Sequence, residues 1–433
     1  MRKILEIKLR YLAKLILKKY NPEVIGITGS VGKTSAKDAV FAVLEKKFRV
    51  RKNVKNYNNE IGVPLTIIGS ESGNKNIFSW LAIFFKAFGL IIFKDKNYPE
   101  KLILEMGADH PGDIKYLVGM APCKVGIITA IGTLGPVHLE FFKNVKQLIE
   151  EKSNIISHLS QEGFAVINQD DVNVFPLKTK TNAKVISFGF AENADVRASD
   201  VSIANQVDKG EGKLITGVTF KIHYKESVVP VLLPQALGKH QIYAALCAAA
   251  VGTIYEMNLS DISEALRSYV SPAGRMHLIP GIKHTAIIDD SYNSSPVAAI
   301  AALETLKTFQ IADGKSKYAV LGDMAELGAY TKEGHEEVGK YVAKVADVLI
   351  TIGEKAKIIA EAARENNMLK DRVFEFDDAE SAGRFIQERL IEGDLILVKG
   401  SQSVRTEKVV KELMAEPLRA EELLVRQGKA WQK

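Results

Sequence analysis

One short stretch near the start of the chain limits the possible folds more than any other. An apolar run at 24–28 leads into Thr-Gly-Ser-Val-Gly-Lys-Thr at 28–34, and a helical pattern follows at 35–47. A strand, a glycine-rich turn and a helix in this order let backbone N–H groups converge on a phosphate at the helix start. We therefore predict that the nucleotide phosphates are held by Gly29, Ser30, Val31, Gly32, Lys33, Thr34 and Ser35.

Two side chains of this loop carry the chemistry. Lys33 supplies positive charge to the β- and γ-phosphates, and the Thr34 hydroxyl can reach a magnesium ion. The spacing departs from the usual phosphate-loop pattern, because Ile27 stands where that pattern has its first glycine. The alternative interpretation is a tight strand-to-helix turn with an incidental lysine.

The rest of the chain alternates buried strands with helices, which predicts a parallel sheet covered on both faces. Short alternating runs at 195–233 predict an antiparallel β elaboration, and a helix is expected at 241–257. Ser-Pro-Ala-Gly-Arg at 271–275 interrupts the pattern. Beyond it, apolar runs separated by helical stretches predict a smaller Rossmann-like α/β domain. The first domain's strands are predicted at 24–28, 102–106, 125–130, 165–168 and 185–188, and the second domain's at 286–289, 318–321, 348–352, 373–376 and 395–398.

The predicted division is thus a leading helix at 1–23, a central nucleotide-binding domain at 24–272 and a C-terminal domain at 273–433. The leading helix reads as basic and amphipathic, and its interleaved Lys and Arg residues exclude a signal peptide. With two cysteines, 46% hydrophobic and 25% charged residues, the chain resembles an ordinary cytoplasmic protein. Its net charge of +6 is compatible with anionic ligands such as nucleotides but does not require them.

An apolar segment at 77–93 interrupts the central domain, with Lys86 as its one charged residue. Hydropathy alone would make it a membrane-span candidate. A single crossing would place the phosphate loop and Glu105 on opposite sides, so two interpretations stay open. The segment either packs into the core, or it pairs with the basic helix at 3–19 and makes a peripheral contact with an anionic membrane surface.

Five further motifs follow the phosphate loop in a fixed order. They are Asn-Asn-Glu-Ile-Gly-Val-Pro-Leu at 58–65, Leu-Glu-Met-Gly-Ala-Asp-His-Pro-Gly at 104–112, Asp-Asp-Ser-Tyr-Asn-Ser-Ser-Pro at 289–296, Leu-Gly-Asp-Met-Ala-Glu-Leu-Gly at 321–328 and Val-Lys-Gly-Ser at 398–401. Together they resemble the Mur ligases of cell-wall peptide assembly. Within that family they are most similar to the branch that adds D-alanyl-D-alanine to a UDP-muramoyl tripeptide.

The resemblance implies an ATP-dependent ligase that joins a carboxylate to an amine through an acyl-phosphate, with Mg²⁺ as cofactor and two ions bound. Glu105, which ends a predicted strand beside the phosphate loop, is expected to bind Mg²⁺ with Thr34. The resemblance implies that His138 helps to bind a second divalent ion. The resemblance also implies that Lys152 is carbamylated by CO₂, and the anionic carbamate can orient a metal. Lys33, His138, Lys152 and Arg275 are the expected catalytic residues, with Arg275 reaching the γ-phosphate across the interdomain cleft.

Nucleotide contacts are expected from both domains. His240 and Gln241 occupy the place of the family's His-Asn pair for adenine, with Gln in place of Asn. Further nucleotide contacts are expected from Asp289, Asp290, Tyr292 and Asn293. By resemblance, the incoming amino substrate is received near Asp323, Glu326, Lys399, Gly400 and Ser401.

Ligases of this branch also carry a leading domain that binds the UDP-sugar, whereas 23 residues precede the first predicted strand here. The given chain is therefore expected to lack that domain. We expect a monomer with nucleotide and peptide substrates, no nucleic acid, and a place in the cytoplasm or at the inner face of the membrane.

Three alternatives are weighed against this interpretation. A folylpolyglutamate-synthase-like ligase, or one acting on another amino-acid polymer, shares the loop and the reaction, but the motifs at 289–296 and 321–328 fit it poorly. A GTPase needs an Asn-Lys-x-Asp motif, which the sequence does not contain. A non-catalytic nucleotide-binding scaffold would be expected to lose its metal ligands first, yet Thr34, Glu105, His138 and Lys152 are all present.

Overall fold

The computed structural model describes residues 2–54, 57–131, 142–207, 213–428 and 431. Two sheets organise these residues, each covered by helices on both faces. His138, one of the expected metal ligands, lies outside the described residues.

The first sheet has nine strands in the order β2-β3-β1-β4-β5-β6-β7-β8-β9. The pairs from β2 to β7 are parallel, and β7, β8 and β9 pair antiparallel as a meander. The strands are β1 Glu23–Thr28, β2 Val50–Lys52, β3 Lys101–Glu105, β4 Val125–Ile128, β5 Phe164–Asn168, β6 Lys184–Gly189, β7 Val196–Val207, β8 Lys213–Tyr224 and β9 Ser227–Pro234.

Helices form a separate hydrophobic core on each face of this sheet. One face is covered by α2, α7 and α8, and the opposite face by α1, α3, α4, α5 and α6. The bounds are α1 Arg2–Tyr20, α2 Lys33–Leu44, α3 Gly62–Ile68, α4 Ile77–Ile92, α5 Asp113–Met120, α6 Val145–Ser157, α7 Lys239–Ile254 and α8 Leu259–Leu266.

The second sheet has six strands in the order β10-β11-β15-β12-β13-β14. All its neighbours are parallel except β10, which runs antiparallel to β11. Its strands are β10 His277–Pro280, β11 Ala286–Asp290, β12 Lys317–Gly322, β13 Val348–Ile352, β14 Val373–Phe376 and β15 Leu395–Lys399. The helices are α9 Pro296–Thr308, α10 Thr331–Val342, α11 Lys357–Glu365, α12 Ala379–Arg389, α13 Glu407–Leu413 and α14 Ala420–Leu423.

The predicted fold class is confirmed: a parallel central sheet with an antiparallel elaboration precedes a Rossmann-like second domain. The sequence interpretation missed two short strands, β2 and β10, and placed the start of α2 two residues late. The apolar segment forms the helix α4. No helix within the described ranges is long and apolar enough to cross a membrane.

Candidate active site

The phosphate loop follows β1 and is shaped by two glycines. Gly29 and Gly32 have positive φ values of 151° and 84°. A Cβ on Gly29 would lie 2.1 Å from the Thr129 hydroxyl oxygen, so this position accepts no side chain. Gly32 directly precedes α2, and no side chain caps that helix end. The N–H groups of the first helical turn are therefore available to an anion, in keeping with a phosphate site.

Strand β4 supports the loop from behind. The backbone N–H groups of Ser30 and Val31 donate to the Ala130 carbonyl oxygen, at 2.6 and 3.4 Å. The Thr129 hydroxyl donates to the Val31 carbonyl oxygen at 2.6 Å. Ser35, by contrast, has a buried side chain beside Tyr269, so only its backbone can face a nucleotide.

The predicted metal ligands converge where β1 and β3 end side by side. Ile27 pairs with Glu105 in the parallel register of these strands, which brings Glu105 next to the phosphate loop. The Thr34 hydroxyl donates to Glu105 Oε2 at 3.1 Å, and Asn58 Nδ2 donates to Oε1 at 3.3 Å. A buried lysine, Lys37, lies 3.7 Å from the same carboxylate.

A hydroxyl and a carboxylate in contact are the hard oxygen ligands that Mg²⁺ prefers. The donor set therefore fits the expected ion. Among the described residues, no group of three or more His, Cys, Asp or Glu side chains could hold a metal.

Two lysines meet behind the loop. The Lys33 ammonium donates to the Gly29 carbonyl oxygen at 2.8 Å, and the Lys152 ammonium donates to the same oxygen at 3.0 Å. Lys152 lies on α6 and is buried, unlike an ordinary surface lysine. Burial, together with the neighbouring charge of Lys33, lowers its pKa to about 7. Burial also lowers the pKa of Lys33, against the raising effect of Glu105.

The residue next to Lys152 has a different task. The Glu151 carboxylate accepts hydrogen bonds from the backbone N–H groups of Gly112 and Ile114, at 2.8 and 2.7 Å. It thereby caps α5. This contact fixes the rotation of α6, so that Lys152 faces the phosphate loop.

Asp109 is a site residue that our sequence interpretation did not single out. Its carboxylate raises the pKa of both Lys33 and Lys152, so it is close to both ammonium groups. The backbone N–H groups of Asp109 and His110 donate to Asp113 Oδ2, at 2.9 and 2.7 Å. The motif at 104–112 contained the signal, because Asp109 follows the same strand end as Glu105.

A cleft of about 1640 Å³ opens between the two sheets beside the phosphate loop. From the first domain it is lined by Gly32, Thr129, Asn168, Asp170 and His240, and from the second by α9 and the turn before β15. Asp170 accepts hydrogen bonds from the Tyr243 hydroxyl at 2.8 Å and from the backbone N–H of Phe190 at 2.6 Å. The sequence interpretation missed Asn168 and Asp170, although Asn-Gln-Asp-Asp at 168–171 begins at the last residue of β5.

The structure separates His240 from Gln241. His240 is half-buried on the cleft wall, and burial lowers its pKa to about 4, so its imidazole is neutral at pH 7. Gln241 is fully buried: its amide nitrogen donates to Ser271 Oγ and to the Arg275 carbonyl oxygen, both at 2.7 Å, and its amide oxygen accepts from Tyr269. The structure therefore does not bring the Gln241 side chain into the cleft. Instead, Gln241 fixes the turn that carries Arg275.

Arg275 and the second domain meet at this turn. The Arg275 guanidinium stacks on the Tyr292 ring, 4.1 Å from its centre. Asp289 is fully buried and accepts from the backbone N–H groups of Gly274 and Ser291, both at 3.1 Å. Its pKa is raised to about 6 by burial. Asp289 thus has a structural task in holding the turn, and Arg275 and Tyr292 are the groups presented outward.

Asp290 and Lys399 form a buried ion pair at the end of the second sheet. The Lys399 ammonium donates to Asp290 Oδ2 at 2.6 Å and to the Asn293 carbonyl oxygen at 2.9 Å. The expected amino-substrate residues lie on neighbouring strand ends. Asp323 Oδ1 accepts from the Ala356 N–H and Ser401 Oγ from the Ala325 N–H, while Glu326 is exposed.

This fold and site define a class of two-domain α/β proteins. The first domain carries a phosphate loop beside the Thr34–Glu105 pair, which suits Mg²⁺, and the second domain faces that loop across a cleft. Residues 90–252 match the Mur ligase middle domain, and residues 274–402 match the Mur ligase glutamate ligase domain. The chain belongs to the Mur ligase family, and it is an ATP-dependent ligase that forms carbon–nitrogen bonds.

Individual relatives agree with this assignment. The chain is 31% identical over 416 residues to the UDP-N-acetylmuramoyl-tripeptide–D-alanyl-D-alanine ligase of Bacillus subtilis strain 168, covering 95% of this chain and 80% of the relative. The crystal structure of MurF ligase from Thermotoga maritima in complex with ADP superposes with a TM-score of 0.72 at 27% identity, covering 94% and 83% of the two chains. A folylpolyglutamate synthase of the same organism gives a TM-score of 0.58 at 14% identity, covering 95% of each chain, and so shares the fold alone.

Proposed function

We propose that this ligase adds D-alanyl-D-alanine to a muramoyl tripeptide in cell-wall peptide assembly. The Bacillus subtilis relative is named as a UDP-N-acetylmuramoyl-tripeptide–D-alanyl-D-alanine ligase, which supports this substrate pair. One observation carries the proposal. Lys33 and the buried Lys152 both donate to the Gly29 carbonyl oxygen of the phosphate loop, and Thr34 of the same loop donates to the Glu105 carboxylate.

The proposed reaction has two steps. A carboxylate oxygen of the tripeptide attacks the γ-phosphorus of ATP, the bond to the β-phosphate oxygen breaks, and ADP leaves. The amine of the dipeptide then attacks the acyl carbon and loses a proton to water. The bond to the phosphate oxygen breaks, and inorganic phosphate leaves with the former carboxylate oxygen.

The chain contributes position and charge to these steps. Lys33 and the N–H groups at the start of α2 hold the β- and γ-phosphates, and Arg275 offsets charge on the transferring group. Thr34 and Glu105 would hold Mg²⁺, which supplies Lewis-acid neutralisation of the phosphates. Asp109 adds a negative charge that raises the pKa of both lysines.

We propose that Lys152 is carbamylated in the active enzyme. Two ammonium groups on the Gly29 carbonyl oxygen repel each other, and burial favours the neutral amine of Lys152. A neutral amine adds CO₂ and releases a proton to water, and the resulting carbamate carries a negative charge beside Lys33. The carbamate oxygens, together with His138, would then serve a second divalent ion.

Nucleotide binding in the cleft needs both domains, at the proposed boundaries 24–272 and 273–433. His240 lines the cleft from the first domain, and Asp290, Tyr292 and Asn293 lie in the second domain at and just after the end of β11. We propose that the second domain closes on ATP, bringing Arg275 and the strand ends with Asp323, Glu326 and Lys399 toward the acyl-phosphate. We further propose that the enzyme works as a monomer in the cytoplasm, at the inner face of the membrane.

A substrate panel tests this function. UDP-linked and lipid-linked muramoyl tripeptides are each combined with D-alanyl-D-alanine, D-alanine or L-glutamate, and products are identified by mass spectrometry. We expect a pentapeptide product with D-alanyl-D-alanine and ATP. Product formation with glutamate alone would instead assign the enzyme to a different amide ligase activity.

A further inference from the structure

Helix α4 leaves an unusually apolar face in solvent. It buries Ile83, Ala87 and Leu90 against the core. The opposite side exposes Phe78 at 76%, Phe85 at 74% and Ile92 at 68% of their surfaces. Together with Leu81 and Phe88, these residues recur every three or four positions and form one stripe along the helix. Apolar faces of this kind mark interaction sites on soluble proteins.

The neighbouring helix α1 supplies positive charge. It contains seven basic residues and a single acidic one, Glu6. α1 packs directly on α4, and Lys19 joins them by donating to the carbonyl oxygens of Leu90, Ile91 and Phe93. On its solvent side Ile4, Ile7 and Tyr11 are exposed, with Lys3, Lys8 and Lys14 exposed beside them.

We propose that this face, called here the α1/α4 face, binds the surface of a lipid bilayer that contains anionic lipids. A helix that lies in the headgroup region needs an apolar stripe for the acyl chains and basic residues for the headgroup phosphates. The α1/α4 face provides both, from two helices that are packed together. α4 has 16 residues and is about 24 Å long, which suits a helix lying in the interface plane.

The short helices α3 and α5 connect the α1/α4 face to the region around Glu105. α3 and α5 both pack on α1, and Arg10 stacks on Tyr116 of α5 at 4.3 Å. α3 follows Asn58, which contacts Glu105, and α5 follows Asp109. A bilayer bound to the α1/α4 face would thus contact the same layer of helices that borders Glu105 and the phosphate loop. This inference does not depend on the proposed substrates.

Vesicle co-sedimentation of the full chain tests the proposal. We expect binding to phosphatidylcholine vesicles that contain phosphatidylglycerol, weaker binding when the salt concentration is raised, and little binding to pure phosphatidylcholine. The double variant Phe78→Ser/Phe85→Ser should lose roughly tenfold in partitioning for each phenylalanine. Its matched control, Leu369→Ser/Leu418→Ser, changes two exposed leucines of the second domain and should bind like the wild type.

The charge contribution has its own pair of variants. Lys3→Gln/Lys8→Gln/Lys14→Gln should weaken binding roughly fivefold for each lysine and flatten the salt dependence. Lys332→Gln/Lys340→Gln/Lys370→Gln removes the same charge from exposed positions elsewhere and should bind nearly as the wild type does. Unchanged ATP-dependent turnover in solution confirms that each variant is folded.

A depth measurement separates insertion from adsorption by charge. In the Phe85→Trp variant, lipids with brominated acyl chains should quench more of the fluorescence than in the parent chain. Three results would overturn the proposal: no binding to phosphatidylglycerol vesicles, binding without added quenching, or a dimer in lipid-free solution that the phenylalanine variant converts to monomer. The last result would make the face an interface between copies of the chain.

Discussion

Lys33 and Lys152 both donate to the Gly29 carbonyl oxygen, so both ammonium groups lie at the phosphate loop and replacing either lysine should reduce activity. The Lys33 ammonium contacts a loop carbonyl oxygen, so Lys33→Ala should fold normally. Because the phosphates lose their main protein cation, phosphate release should fall below about a tenth of the wild-type rate. Lys46→Ala, an exposed lysine just after α2, is the matched control. Turnover near the wild-type rate in Lys33→Ala would remove this lysine from the phosphate site.

Glu105 is expected to act through the metal. Glu105→Ala removes a carboxylate that contacts Thr34, so the Mg²⁺ concentration for half-maximal activity should rise by about tenfold or more. A magnesium titration of phosphate release measures this, with exposed Glu45→Ala as control. A titration curve equal to that of the wild type would exclude Glu105 as a ligand.

Lys152 should make activity depend on CO₂. Burial lowers its pKa to about 7, so the amine is mostly protonated below that pH and mostly neutral above it. Only the neutral amine adds CO₂, so activity at a fixed, limiting CO₂ concentration should rise as the pH passes through 7. Lys152→Ala should be nearly inactive and partly rescued by short-chain carboxylic acids, while exposed Lys146→Ala on the same helix should be normal. Full activity of Lys152→Ala would contradict carbamylation.

The sequence could predict those site residues whose chemistry follows from position along the chain. Glycines, Lys33 and Thr34 after a strand, and Glu105 at the end of another, are recognisable without a structure. Gln241 was placed among the nucleotide contacts because of its position, but its partners Ser271 and Tyr269 lie some thirty residues away in sequence and only the fold brings them together. Asp109 was missed because its effect is exerted on two lysines distant in sequence.

At the scale of elements, the segment that follows α14 stabilises the loop that carries Tyr292. Arg426 donates to the carbonyl oxygens of Ser291 and Tyr292, at 2.5 and 3.0 Å, and pairs with the fully buried Glu407 at 2.9 Å. Removing Arg426 leaves the buried Glu407 carboxylate with its second partner, Arg405, and leaves the carbonyl oxygens of Ser291 and Tyr292 without this donor. Arg426→Ala should therefore lower the free energy of unfolding by about 3 kcal/mol.

The exposed Arg419 provides the contrast for this experiment. It forms ion pairs with Glu416 and Glu422 on the surface, where water and salt screen them. Arg419→Ala should leave the Tm nearly unchanged in thermal denaturation, while Arg426→Ala lowers it clearly. Equal, small shifts in the two variants would show that the Arg426 contacts do not stabilise the second domain.

The elements that the sequence predicted are those with enough buried residues to show a pattern. β2 spans three half-buried residues, and β10 has four residues that begin with His277 and end with Pro280, so neither has the apolar run of a longer buried strand. α4 shows the opposite problem. Its composition is apolar on all sides, and only the structure distinguishes the side that packs on the core from the side that faces solvent.

At the scale of the whole molecule, the order of strands and helices predicted two α/β domains, and both sheets have the expected parallel pairing. The cleft between the domains could not be predicted in the same way, because its walls come from segments as distant as Asp170 and Thr305. The proposed function requires this cleft, because we propose that ATP and the two substrates meet there.

The transfer of an oxygen atom tests the ligase mechanism most directly. The acyl substrate is labelled with ¹⁸O in its carboxylate, and the inorganic phosphate released with ATP and D-alanyl-D-alanine is analysed by mass spectrometry. An acyl-phosphate route predicts one ¹⁸O atom in each released phosphate, and release that requires the amine. Unlabelled phosphate, or phosphate release that does not change when the amine is omitted, would contradict the account.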